Sequence, residues 1–270
     1  MILTVAHRTT YRYDAPIRLA VQSLRLTPSV FDGQVTERWS AVVEGGERGP
    51  GYRDGAGDWV ESWSLRGPAD AVAVVVEGQV ETRDLDGLLR GHRELVRPPV
   101  YLRDTPSTLA DVMLTDFARD VAGSESEALA QAHALAAAVT DAIAYRPGTT
   151  AAHTTAAEAF AQGEGVCQDH AHALIAAARV VGLPARYVSG YLLAGEDGTA
   201  HEAAHAWAEI HVGALGWVGF DPANRCCPDA RYIRLSSGFD AQDAAPIRGI
   251  AQGAGSESLE VAVAVAAAQQ

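Results

Sequence analysis

Nothing constrains the fold of this chain more than the stretch Gly163 to Gly182, which reads GEGVCQDHAHALIAAARVVG. A glycine-flanked loop runs straight into a helical pattern, with Leu174, Ile175, Ala178 and Val181 on one stripe. Gly182 supplies the C-terminal stop and Pro184 stands close behind it. Beyond Pro184 the period changes. Ala185–Leu192 alternates as a strand, and Gly195 to Gly198 turns the chain. His205–Val212 and Trp217–Asp221 read as a hairpin around Gly213 to Gly216. Helices first and strands after, within one unit, predict an α+β fold.

Upstream of that unit, residues 1–98 read as β structure. Short runs such as Leu3–Tyr13, Trp39–Val43, Trp59–Leu65 and Ala71–Val80 alternate with breaks at Ala15-Pro16, Glu44–Tyr52 and Gly55–Asp58. Many short strands with frequent turns predict a β-sandwich. No titratable cluster stands out in this region, and His7 is read as packing. The segment RPPVYLRDT, Arg97 to Thr105, is the connection to the second unit. A helix is expected next, capped by Ser107 or Thr108, with Leu109, Val112, Met113 and Phe117 as its apolar stripe. A second helix spans about Ser126 to Ala144, and a third covers Ala156–Ala161 with Thr155 and Glu158 as a capping box. The expected division is 1–98 for the β-rich region, 99–235 for the core and 236–270 for a tail. A last strand, Leu259–Val265, packs back from that tail.

Composition matters here mainly for what it excludes. The net charge is −13, from 34 acids against 21 bases, which argues against nucleic-acid and anionic-membrane partners. The start, MILTVAHRTTYRY, lacks the pattern of a signal peptide. The longest apolar run, Val261 to Ala268, is too short to span a bilayer. Three cysteines, Cys167, Cys226 and adjacent Cys227, make no disulfide framework, so a reducing cytoplasm is the expected compartment.

The candidate chemistry begins at Cys167, the first residue of the apolar helix. Unpaired backbone N–H groups and the helix dipole favour a thiolate there. The competing reading is a small buried cysteine. In HAWAEIHV, strand alternation puts Ala206, Ala208, Ile210 and Val212 on a core face and His205, Trp207, Glu209 and His211 on the other. In WVGFD, Val218 and Phe220 go to the core and Asp221 to the polar side. A hairpin then brings His205 and Asp221 to neighbouring strands. A Cys, a His and an Asp so placed fit a nucleophile, base and orienting acid. Read singly, His205 is also an ordinary hydrogen-bonded histidine and Asp221-Pro222 an ordinary turn starter. Trp207 is expected beside the site. His170 and His172 are two apart, which puts them on different helix faces and does not suit zinc. Neither a metal nor a cofactor is expected.

The run GEGVCQDHAH, followed by LPARYVSGYL, HAWAEIHV and GWVGFDPAN, resembles the bacterial transglutaminase-like superfamily. HRTTYRYDAPI resembles the β-rich N-terminal region that precedes this domain in many bacterial members. The resemblance implies a papain-like core, a cysteine helix packed on an antiparallel sheet, after an N-terminal β-sandwich. It implies Cys167 as nucleophile, His205 as base and Asp221 as orienting acid. Trp207, Gln168, Asp169 and Tyr145 are expected as substrate-contacting or supporting groups. Arg225-Cys226-Cys227 and the tail segment GFDAQD depart from the family's pattern. The expected activity is cleavage or transfer of an amide or peptide acyl group through a cysteine thioester, on a peptide or protein substrate. Peptidase or amidase action is the favoured reading. Protein-glutamine transglutaminase and a catalytically silent peptide-binding module are the alternatives, and no oligomeric state follows.

Overall fold

The structure is a computed structural model that describes residues 1–193 and 204–267. The expected Gly195 to Gly198 turn lies outside these residues. The N-terminal region is β-rich, as its composition demands, but its strands are not all short. Strands β1 (Ile2–Leu24) and β4 (Trp59–Thr82) run antiparallel along almost their whole length. Between them come β2 (Gln34–Val43) and β3 (Glu47–Arg53), which pair with opposite ends of β4. The supposed break at Glu44–Tyr52 thus contains most of β3. The break expected at Ala15-Pro16 does not end its strand. Pro16 and Pro68 lie in the facing irregular stretches of β1 and β4, where the register shifts between Arg12 and Leu19. A bulge has no ladder position for the N–H that proline lacks, so both strands pass through it and bend. The result is one curled six-stranded sheet. Both halves feed a single core, with Leu3, Val5, Val74 and Val76 from one half and Ala20, Leu24 and Trp63 from the other.

After the proline-containing connection the chain turns helical. Helix α1 (Val112–Ala122) starts later than its sequence suggests: Asp111 is the cap, its carboxylate accepting from Leu114 N at 2.8 Å. Thr108 instead closes a short 3₁₀ turn with Thr105. The buried stripe is Leu114, Ala118 and Ala122, while Leu109, Val112 and Met113 are exposed. Moving the cap shifts the start of the helix, and with it the face that meets the core. Helix α2 (Ala128–Ala142) leads into the two-residue strand β5 (Ala144–Tyr145). Helix α3 (Ala156–Gln162) has the expected Thr155–Glu158 capping box. Strand β6 (Glu164–Gly165) pairs in parallel with β5 and delivers the chain to α4 (Cys167–Val180).

Helix α4 is buried from Asp169 to Arg179. Helices α1, α2 and α3 pack on it from outside, and strands β7 (Ala185–Leu192) and β8 (Ala204–Val212) lie against it from within. Leu174 and Ile175 are fully buried here, each contributing roughly 1.5–3 kcal/mol. With β9 (Gly216–Phe220) and β10 (Tyr232–Gly238) these strands form an antiparallel sheet in the order β10-β7-β8-β9. Ala206, Ala208, Ile210 and Val212 do face the helices, as do Val218 and Phe220. The last strands, β11 (Ile247–Gln252) and β12 (Glu257–Ala267), return to the N-terminal sheet and pair with β1.

The two sheets are joined by packing and by charge. Tyr191, Ile233 and Leu235 of the second sheet enter the core of the first. Beside them runs a buried ion network. Arg234 binds Glu209 at 2.8 Å and Asp58 at 3.0 Å, and Arg186 binds Glu209 at 2.7 Å and also pairs with Glu94. Burial alone would raise the Glu209 carboxyl, but the two guanidinium groups outweigh it and lower it to about 2. The N-terminal 98 residues therefore do hold part of a titratable cluster. Its members, Asp58 and Glu94, are far apart in sequence and become neighbours only in the fold.

Candidate active site

Cys167 opens α4, half-buried, with its thiol free. The loop before it is held by Asp169, whose carboxylate accepts from Val166 N at 2.8 Å and from Thr150 Oγ1 at 2.6 Å. That bond caps the helix from its third residue and orients the first turn. His170 lies between two backbone carbonyls, Val166 O at 2.9 Å and Ile143 O at 2.8 Å, and stands next to Tyr145 with ring centres 6.1 Å apart. His172 is buried and its Nε2 accepts from Ala241 N at 3.0 Å, tying the helix to the GFDAQD segment. Gln168 donates to Ala152 O at 3.2 Å, on the rim of the site. A polar cleft runs beside it, bordered by Ser107, His153, Thr155, Gln168 and Gln242.

His205 comes from the first turn of β8 and Asp221 from the residue just past β9. Imidazole Nε2 is 2.6 Å from Asp221 Oδ2, and both side chains are almost wholly buried. With Nε2 committed to Asp221, Nδ1 is the nitrogen left for sulfur, and Cys167 is near enough to the ring to raise its pKa. Burial alone would lower the His205 pKa. The hydrogen bonds to Asp221 and Cys167, and the charges of both, outweigh it and push the pKa up to about 10. Burial would likewise raise the Asp221 carboxyl, but His205, Asn224 and Tyr232 hold it below the usual carboxylate range. The pair is therefore built as imidazolium and carboxylate.

Two partners of Asp221 were not anticipated from the sequence. Tyr232 OH donates to Oδ2 at 2.8 Å, and Asn224 Nδ2 donates to the same oxygen at 2.8 Å. Asn224 stands three residues after Asp221 in the FDPAN turn, the one local signal of its role. Tyr232 begins β10, and only the strand order places it here. Trp207 is 2 % exposed and stacks behind the imidazole, with centroids 6.4 Å apart and planes 25° from parallel. It also meets Tyr232 edge-on at 5.5 Å. Its ring lies over Gly190, the residue paired with His205 across β7 and β8. A Cβ on Gly190 would come within 2.6 Å of that ring and 2.2 Å of Ile233 O. Tyr187 adds an apolar wall, its hydroxyl pKa raised well above normal by burial and then by Cys167 and Asp169.

The other two thiols differ. Cys226 forms a backbone bridge with Asp221 and lies 3.3 Å from Tyr232 OH. Burial raises the pKa of both, that of Cys227 to about 11. Each is thus less able to ionise than a free cysteine.

Comparison with known proteins gives the family and the fold. The family model described as the bacterial transglutaminase-like N-terminal region matches residues 3–81, and that of the transglutaminase-like superfamily matches residues 115–222. An uncharacterized protein of Mycobacterium leprae is 30% identical over 277 residues, spanning 97% of this chain and 98% of its own. Another, from Mycobacterium tuberculosis, is 30% identical over 273 residues, spanning 91% and 86%. A candidate cysteine protease from Cytophaga hutchinsonii shares the fold in its crystal structure, with a TM-score of 0.76 and 21% identity over 100% of this chain and 92% of that one.

Proposed function

From the premise that this chain belongs to the transglutaminase-like superfamily, we propose that it is a thiol enzyme that opens peptide or amide bonds through an acyl thioester on Cys167. The observation that carries the reading is one buried imidazole held by Asp221 at 2.6 Å, with its pKa raised by Asp221 and by Cys167. In the proposed cycle the Cys167 thiolate adds to the substrate carbonyl. The negative oxygen is stabilised by the unpaired N–H groups at the start of α4. The His205 imidazolium gives its Nδ1 proton to the leaving nitrogen, the C–N bond breaks, and the amine departs. Neutral His205 then takes a proton from water, whose oxygen attacks the thioester. The acid is released and the thiolate–imidazolium pair returns. Asp221 keeps Nε2 protonated and the ring in place throughout.

The cleft bordered by Ser107, His153, Thr155, Gln168 and Gln242 supports a polar stretch of peptide as the substrate. A cytoplasmic location fits three free cysteines. The test is intact-mass detection of an acyl adduct on the purified protein after incubation with a peptide library. An adduct absent from Cys167→Ala supports the reading, and no adduct with any peptide counts against it. Adding a primary amine separates the two fates of the thioester. Free acid as the main product identifies a peptidase or amidase, and an amide to the added amine identifies a transglutaminase.

A further inference from the structure

Strand β12 occupies one margin of the N-terminal sheet. Its inner side pairs with β1 from Tyr13–Glu257 through Leu3–Ala267. No strand among the described residues pairs with its outer side. That leaves a free edge of 11 residues, roughly 37 Å long at about 3.4 Å per residue. Proteins normally blunt such an edge with lysine, proline, a bulge or a covering loop. The strand reads ESLEVAVAVAA and carries neither Lys nor Pro, and its pairing with β1 is free of register shifts. Its apolar residues Leu259, Val261, Val263 and Val265 share the face that looks toward the core. Only Val263 and Val265 are tucked against that core; Leu259 is 59% exposed and Val261 51%.

We infer that β12 is a dimerisation edge, and that its occupant is β12 of a second copy paired antiparallel about a two-fold axis at Ala262. The sequence is self-complementary about that residue. Glu257 falls opposite Ala267, Leu259 opposite Val265, Glu260 opposite Ala264, and Val261 opposite Val263. Every residue of the strand finds a partner. The four large apolar side chains meet one another on one face. Neither glutamate meets a glutamate, which parallel pairing would force. Only small Ala262 meets its own copy at the axis. The pairing makes one continuous sheet from two molecules and satisfies both rows of free N–H and C=O groups.

Ala262 is exposed on the outer face of the strand in a single molecule, with Arg8 as its cross-strand neighbour there, so substitutions leave the buried core untouched. Ala262→Glu places two carboxylates across the axis, and Ala262→Lys places two ammonium groups there. Light scattering across a concentration series should give a dimer for the unmodified chain. Each variant alone should dissociate about fivefold or more readily, with the far-ultraviolet circular dichroism unchanged. Mixing the two variants should restore the dimer, because unlike charges then face each other. The inference is overturned by a chain that stays monomeric at all attainable concentrations. It is equally overturned by a dimer indifferent to both single variants, by a mixture of folded variants that does not re-associate, or by an edge that accepts only an added extended peptide.

Discussion

Oxygen Oδ2 of Asp221 receives His205, Asn224 and Tyr232 at once, so its replacement tests orientation rather than packing. Asp221→Asn keeps the volume but offers an N–H where Nε2–H needs an acceptor. In a serine triad such a change costs about four decades of rate. A thiolate–imidazolium pair is already ionised, so a smaller loss of about one to three decades in kcat is expected here. Normal activity in a folded Asp221→Asn would reduce Asp221 to a turn residue. Protonation of His205 also leaves a mark on stability. Its pKa in the folded chain is raised from 6.5 to about 10, so the native state binds this proton more tightly than the unfolded chain does. The stabilisation is complete below about pH 6.5 and fades as pH rises through about 10. The difference in unfolding free energy between the unmodified chain and His205→Gln should therefore shrink across that window in urea titrations. A difference that grows toward pH 10 would contradict the assignment. The meeting of His205 and Asp221 was legible in the sequence, because strand alternation and a short hairpin leave them few other places. Tyr232 was not legible, because β10 reaches Asp221 only through the strand order of the sheet.

At the level of elements, legibility followed how local the determining interaction is. Helix α3 is fixed by Thr155 and Glu158, three residues apart, and its start could be read directly. Helix α1 was expected to be capped by Ser107 or Thr108; Asp111 caps it instead, and of the expected stripe Leu109, Val112 and Met113 face out while Phe117 packs on the core. The break expected at Ala15-Pro16 is absent because a bulge that hides Pro16 and, across from it, Pro68 is a property of the strand pair, not of either strand. The close fit of β7 and β8 makes a specific prediction. Gly190→Ala pushes a methyl group into the Trp207 ring and Ile233 O. The ring backs His205, so proteins that still fold should show reduced kcat and altered near-ultraviolet circular dichroism from Trp207. A silent Gly190→Ala would show that the indole has room to move. The ion network makes another. Asp58→Ala leaves Arg234 without one of its two carboxylate partners inside the protein. Removing one member of a buried pair typically costs about 3–5 kcal/mol, readable as a lower midpoint in denaturant. A change below about 1 kcal/mol would mean that water reaches Arg234.

For the whole molecule, the interface between the two sheets means that the transglutaminase-like core is not self-sufficient. A chain beginning at residue 99 would expose Tyr191, Ile233 and Leu235 and strand Arg234 beside Glu209 with no Asp58. It should bind a hydrophobic dye and lose cooperative unfolding; a truncated chain that melts cooperatively and resists proteolysis would refute this. The acidic surface and the α+β order of elements were legible from composition and periodicity. The way the tail rejoins the first strand was not, since nothing near Leu259 in sequence names Tyr11 as its neighbour. That return has a consequence for synthesis. Tyr13 and Glu257 are paired in the ladder, yet a ribosome working at about 5–20 residues per second makes them roughly 12 to 50 seconds apart. Strand β4 reaches β1 early, so half of the sheet has its partner while most of the transglutaminase-like segment is still untranslated. For the rest of elongation the other margin of β1 is open to whatever nascent strand is nearest, and the N-terminal sheet is complete only after β12 has left the exit tunnel.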